Sequence, residues 1–183
     1  MKQLQKFILI LLSIAALAGA RIAQAAPADP TLDKDASAAL KALYDRSPAA
    51  KALGEKAVGV LVFPSIDKLA VLVGVQSGKG AMFANGKVVG HYRIDGVLAG
   101  LEAGGQSYAY AMFFMSDKAL KNLQSTHGFE IGTDPNIVFL DAGAAKEIST
   151  TTTQADVYGY VFNQQGLMGG VAVQGLKITK VQG

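Results

Sequence analysis

From Val58 to Arg93 the chain sets apolar, β-branched segments between Gly74, Gly78, Gly80, Gly86 and Gly90, the pattern of strands that bend, bulge and turn back on one another. Asn85-Gly86 stands between GAMFA and KVVGHY. A type I′ turn needs positive φ at both central residues and favours that dipeptide, so a hairpin is predicted here within a strongly curved sheet. The pattern predicts strands near Val58 to Phe63, Leu69 to Val75, Gly80 to Ala84, Lys87 to Arg93, Val97 to Ala103 and Ser107 to Met115, joined as a meander. Ser116 then caps a helix over DKALKNLQ, with Ala119, Leu120 and Leu123 inward and Lys118, Lys121 and Asn122 in water. Shorter strands are expected around Phe129 to Gly132, Ile137 to Asp141, Lys146 to Thr153, Val157 to Phe162, Leu167 to Val173 and Leu176 to Val181. A sheet this long is expected to curl or close, because closure removes exposed edges. The fold class predicted is α+β and β-dominated, an antiparallel β-barrel-like core with about three helices packed on its surface.

Ahead of the sheet the periodicity is helical. Ala36, Ala39, Leu40, Leu43 and Tyr44 fall on one side of a helix and Lys34, Lys41 and Asp45 on the other. Ser47-Pro48 restarts the chain as N-cap and first helical residue, and Gly54 is the expected stop of this second short helix. Ala26 to Pro30 reads as an irregular lead, since each proline disfavours helix in the residue before it.

The first 25 residues have the form of a secretory signal. Lys2 and Lys6 make a basic start, Phe7 to Ala20 a short apolar stretch, and Ala23-Gln24-Ala25 a small-x-small cleavage pattern. The expected organisation is signal peptide 1–25, flexible lead 26–33 and one domain over 34–183, with a periplasmic or secreted product. Removing the signal takes Lys2, Lys6 and Arg21 with it. The 17 basic residues then fall to 14 against 14 acidic ones, and the formal charge of +3 vanishes. A globally basic nucleic-acid binder is therefore not indicated, and an anionic partner would have to be met by a local patch. The chain has no cysteine, which excludes a disulfide framework, thiolate chemistry and a lipid-modified N-terminal cysteine.

Catalytic chemistry has little to stand on. His91 and His127 are the two histidines, and neither has metal-ligand spacing. No nucleophile-elbow pattern accompanies Ser125, His127 and Asp141, and Asp134-Pro135-Asn136 reads as a turn rather than a calcium loop. Ser77-Gly78-Lys79-Gly80 lacks both the spacing and the following helix of a phosphate-cradling loop. A non-enzymatic protein without cofactor or metal is expected.

Three stretches, AKALGEKAVGVLVFPSIDKLAVLVGVQSGKGAMFANGKVVGHY, GLEAGGQSYAYAMFFMSDKAL and ADVYGYVFNQQGLMGGVAVQGLKITKV, together resemble a bacterial SYLF domain over nearly all of the chain after the leader. The resemblance implies a β-barrel-like core with surface helices and an ability to bind phosphoinositides or other anionic lipids. It also implies membrane contact by the amphipathic helix before the first strand, matched here by Ala36 to Lys56. In a bacterial envelope the expected ligands are phosphatidylglycerol, cardiolipin or lipid A phosphates. The cations available for headgroups are Lys34, Lys41, Lys51 and Lys56 in the leading helices and Lys68, Lys79, Lys87 and Arg93 in the first hairpins. Each contributes about 1 kcal/mol beside an anionic leaflet, and Asp33, Asp35, Asp45 and Glu55 offset much of the helical share. The expected contact is weak, about 4 to 6 kcal/mol. An envelope protein that binds another protein, with incidental lipid contact, is the alternative.

Overall fold

The computed structural model describes residues 29–125, 129–131, 137–140 and 155–181. The expected signal peptide, the loop around His127 and Asp134, Asp141 and the strand expected over Lys146 to Thr153 lie outside them. Helices α1 (Pro30–Arg46) and α2 (Pro48–Lys56) come first, followed by strands β1 (Gly59–Ala84) and β2 (Lys87–Phe114). Helix α3 (Asp117–Ser125), short strands β3 (Phe129–Ile131) and β4 (Ile137–Leu140), and the long strand β5 (Val157–Lys180) complete the order.

The strands differ from the meander expected. Where sequence periodicity suggested six strands over 58–115, two very long ones form a single antiparallel hairpin, and the three segments expected over 157–181 are one strand. The glycines bend these strands without ending them. At 26 residues a straight β1 would reach about 85 Å, roughly twice the about 40 Å diameter of a domain this size. It therefore folds over on itself. A Cβ on Gly74 would lie 2.6 Å from the carbonyl oxygen of Leu69, one on Gly78 2.6 Å from that of Ser65, and one on Gly80 2.7 Å from that of Val62. These contacts are arranged about Leu72, the elbow of the strand.

The neighbouring strands turn at the same level. Lys68, Leu69 and Ala70 of β1 pair with Gln106, Gly105 and Gly104 of β2, which pair with Gly166, Leu167 and Met168 of β5. Gly104 has φ +135° and Gly166 φ +95°. A Cβ on either would strike a carbonyl oxygen of the other strand, that of Leu167 or Gly105 respectively. In β1 the turn is a bulge between Val71 and Val73 with Leu72 at φ +66°. The Asn85-Gly86 turn is as predicted, with φ +50° and +72°.

The sheet runs β1-β2-β5-β3, with β4 parallel to β5 on the same edge as β3. Among the described residues it does not close, so the barrel expected from the sequence is an open sheet creased upon itself. Its two faces make two cores. Inside the crease, Phe63, Ile66, Met82, Tyr92, Met112 and Phe114 pack together, and Ala119 and Leu123 of α3 close the wide end. Large side chains fill the mouth, while Gly74, Gly78 and Gly80 let the backbone layers meet near the elbow.

On the outer face α1 and α2 lie across the sheet. Ala36, Leu43, Ala50 and Leu53 cover Val60, Val62, Phe113, Tyr160 and Phe162. Helix α1 starts earlier than its apolar pattern suggested, because the Asp29 side chain accepts from the Leu32 N–H at 3.1 Å and Pro30 opens the first turn. Residues 30–33, expected as part of a flexible lead, are thus helical. Ser47 and Ser116 cap α2 and α3 as predicted, accepting from Ala50 N and Ala119 N. Gly54 does not stop α2, which runs to Lys56. It lies under the Tyr44 ring, where a Cβ would collide with the phenol.

Candidate functional site

The outer face of the sheet is apolar under the helices and again around the elbow, and the helices cover only the first of these regions. In the second, Leu69, Val71, Leu72, Val73 and Val75 of β1 stand exposed, beside Val97 and Leu101 of β2 and Leu167 of β5. Leu101 is 79 % and Leu167 89 % exposed. Cross-strand pairing makes these positions one surface: Leu69 aligns through Gly105 with Leu167, and Val75 pairs directly with Val97. Alternation breaks at the bulge, where Val71, Leu72 and Val73 are all exposed in succession.

A basic group borders this surface toward the hairpin turn. Lys79 pairs directly with Arg93, and two residues toward the elbow Ser77 pairs with Asp95, which pairs with Lys177. Arg93 Nε donates to both carboxylate oxygens of Asp95 at 2.7 and 2.8 Å, and Ser77 Oγ donates to Asp95 at 2.9 Å. Lys79, Arg93 and Lys177 thus lie about Asp95, and Glu130 of β3 pairs with Lys177 from its other side, leaving a surplus of one positive charge. Like charges directly across a ladder are unfavourable, so an anion bridging Lys79 and Arg93 would relieve a repulsion already present in the fold.

The remaining predicted cations are dispersed. Lys34, Lys41, Lys51 and Lys56 are exposed on the helical layer, where Lys41 is taken up by Asp45 at 2.6 Å. Lys87 is exposed beside the Asn85-Gly86 turn. Lys68 belongs elsewhere: it is 12 % exposed, inside the crease, and bonded at 2.7 Å to Glu102, itself 11 % exposed. A surface lipid cannot reach it without opening that pair. Lys177 was not anticipated from the sequence, because nothing local to it signals that the β2–β5 register brings it beside Asp95.

The crease is largely filled. Its cavity of about 190 Å³ is lined by Lys68, Gln106, Tyr108, Tyr110 and Gln164 among others, below the roughly 300 Å³ at which ligand pockets begin. Tyr108 donates to Gln76 Oε1 at 2.7 Å. Burial pushes its phenol up to about 12 and that of Tyr110 higher still. A tyrosine with a raised folded pKa binds its proton more tightly in the native state, so its stabilisation is full below pH 10 and is lost as pH rises from 10 to about 12. Urea unfolding between pH 10 and 12 should therefore show stability falling by about 1.4 kcal/mol per pH unit for Tyr108. Tyr108→Phe should shallow that slope by the same amount. An unchanged slope in the variant would mean that the ring is not held dry.

His91, expected to be structural or at the surface, is structural: buried on β2, it lies 2.7 Å through Nε2 from Asp33 Oδ1, tying α1 to the sheet. Among the described residues no cluster of side chains has the makings of a metal site, and no helix is long and apolar enough to cross a membrane.

The family model for Ysc84, described as Las17-binding protein actin regulator, matches residues 95–182. Residues 95–182 are thus consistent with the SYLF domain that the sequence resembles. The match takes in most of β2, from Asp95 on, with α3 and β3 to β5, and so includes the crease through Gly104 and Gly166. The two helices that cover the outer face, and β1 with its elbow, precede it. No curated protein matches the chain.

Proposed function

We infer that this protein is an exported, non-enzymatic module that docks weakly on anionic phospholipid headgroups. The observation that carries this reading is the Lys79–Arg93–Lys177 group, a local cationic site next to an uncovered apolar surface in a chain whose charge balances once the leader is removed. Lipid binding is also a property linked to the family. The helical layer contributes less than the sequence suggested, since Lys41 and Asp45 are paired and Asp35 and Glu55 stand among the other lysines. Lys34, Lys51, Lys56 and Lys87 add long-range attraction, which decays over about 10 Å at 0.1 M salt.

Binding to vesicles of phosphatidylglycerol should be strong in dilute buffer and fall steeply with salt, while phosphatidylcholine vesicles bind far less. Lys79→Gln combined with Arg93→Gln should weaken sedimentation with anionic vesicles roughly 5- to 30-fold, the equivalent of about 1 to 2 kcal/mol. The lower figure reflects the share of Arg93 charge already taken by Asp95. Equal binding by variant and parent would remove this group from the site. The family description favours a second reading, in which the same exposed face receives a protein partner. That reading gains if the double variant loses vesicles but keeps its cellular role.

A further inference from the structure

We propose that the elbow of the creased sheet is a hydrocarbon-inserting tip, carried by Leu72 with its neighbours Val71 and Val73, Leu101 and Leu167, and that it seats the protein in the outer few ångströms of an anionic bilayer. The proposal rests on the lipid reading above and adds the depth and the element of contact.

Three observations carry it. The large apolar side chains exposed at the elbow are all aliphatic, with no aromatic among them, and Asp67, two residues before Leu69, borders them on the side away from the cations. Protein-binding hot spots instead concentrate Trp, Tyr and Arg, and a surface with nothing to fix the register of a partner suits fluid acyl chains. Its chemistry then changes to cationic at Lys79, Arg93 and Lys177. Val75 and Lys79 are four residues apart on one strand, about 13 Å, so the tip can reach hydrocarbon while the ammonium and guanidinium groups stay at headgroup level. Finally, Leu72 holds φ +66°, a conformation that costs a branched side chain about 1 to 3 kcal/mol and persists chiefly where a site requires it. The strain keeps an additional large apolar group outside the sheet, where no described residue covers it.

The backbone is suited to the same role. Around the elbow β2 is paired with β5 throughout, and with β1 on either side of the bulge, at Ala99 and Ala103, so most of its amides and carbonyls enter an apolar medium already bonded. The leading helices are not so placed. Ala36, Leu43, Ala50 and Leu53 are spent on the sheet, and α1 or α2 could insert only by undocking and exposing Phe113 and Tyr160.

The chain has no cysteine, so Leu72→Cys can carry an environment-sensitive nitrobenzoxadiazole label, with Lys51→Cys on the helical layer as the control. Both sites are exposed and neither needs repacking. With vesicles of equal phosphatidylglycerol and phosphatidylcholine, the Leu72 label should shift to the blue and be quenched by lipids with a nitroxide near the top of the acyl chain, while the Lys51 label stays aqueous. Leu72→Ser with Val73→Ser should reduce vesicle binding about tenfold, without changing the unfolding midpoint. Vesicle binding with an aqueous Leu72 label would overturn the tip and leave the headgroup reading standing. No binding to anionic vesicles at low salt would overturn both. A blue shift at Lys51 but not Leu72 would assign insertion to the helices. A concentration-dependent dimer dispersed by the serine variant would assign the face to a second copy of the chain, and would equally overturn the proposal.

Discussion

Gly104→Val is expected to abolish the native sheet, giving insoluble protein or a chain without a cooperative unfolding transition. Gly104 sits at φ +135° in the middle of β2, where a β-branched residue is strained by about 1 to 3 kcal/mol. The new Cβ would also fall on the Leu167 carbonyl oxygen and 3.0 Å from Met168 Cα. Both obstacles are backbone of the paired strand, which cannot yield as a side-chain tip would. Overpacking adds about 1 to 3 kcal/mol, and separating β2 from β5 at the crease loses ladder bonds on both sides. Together these effects approach the whole 5 to 15 kcal/mol stability of a typical domain. Gly105→Ala is the control. Its neighbour in sequence has ordinary backbone, and a Cβ there meets nothing nearer than Leu69 Cδ1 at 3.8 Å, so a change within about 1 kcal/mol is expected. Urea denaturation of both variants decides the matter. A Gly104→Val protein with a midpoint near the parent's would show that the crease does not require this conformation.

Phe113→Ala should cost about 3 to 5 kcal/mol and should loosen the helical layer before the rest of the molecule. The ring is fully buried on the outer face. It meets Tyr160 edge-on with centroids 5.7 Å apart and Tyr44 at 6.4 Å, so one side chain of β2 joins α1 to β5. Removing it leaves a cavity bounded by a sheet on one side and a short helix on the other, and the helix is the easier wall to displace. Hydrogen exchange should then show α1 and α2 amides opening well below the global unfolding energy, while Met112 and Tyr110, whose side chains face the crease, stay protected. Phe113→Leu, which keeps most of the volume, should cost about 1.5 kcal/mol or less. If the alanine variant lost under 1 kcal/mol, the helices would be resting on the sheet without sharing its core, and their insertion into lipid would become the stronger alternative to the elbow.

Those outcomes bear on how much of the site could be read from the residues alone. The helix caps at Ser47 and Ser116 and the Asn85-Gly86 turn were legible, since each depends on backbone chemistry within a few positions of itself. Strand identity was legible too, but strand continuity was not. A glycine such as Gly74 or Gly80 carries the same local signal whether it ends a strand or lets one layer of backbone approach another. Which of the two it does depends on a segment some five to eighteen residues away in β1, or on another strand entirely. For the same reason LAVLVGV, Leu69 to Val75, reads as a buried run, since apolar alternation tells which face a residue takes and not whether anything lies over that face. Lys68 and Lys79 look alike in sequence. One is sealed against Glu102 inside the crease, and the other stands beside Arg93 at the rim of the apolar surface.

By itself, then, the sequence determined which segments are helix and which are strand, the helix caps, the absence of thiol chemistry and the SYLF resemblance, because those follow from local propensity and from the order of motifs. The tertiary structure decided that the sheet creases without closing, that the leading helices spend their apolar faces on it, and that an aliphatic elbow is left bare beside three cations. These are questions of which distant backbone comes within a few ångströms of which, and register, bulges and positive-φ turns acting together across three strands answer them.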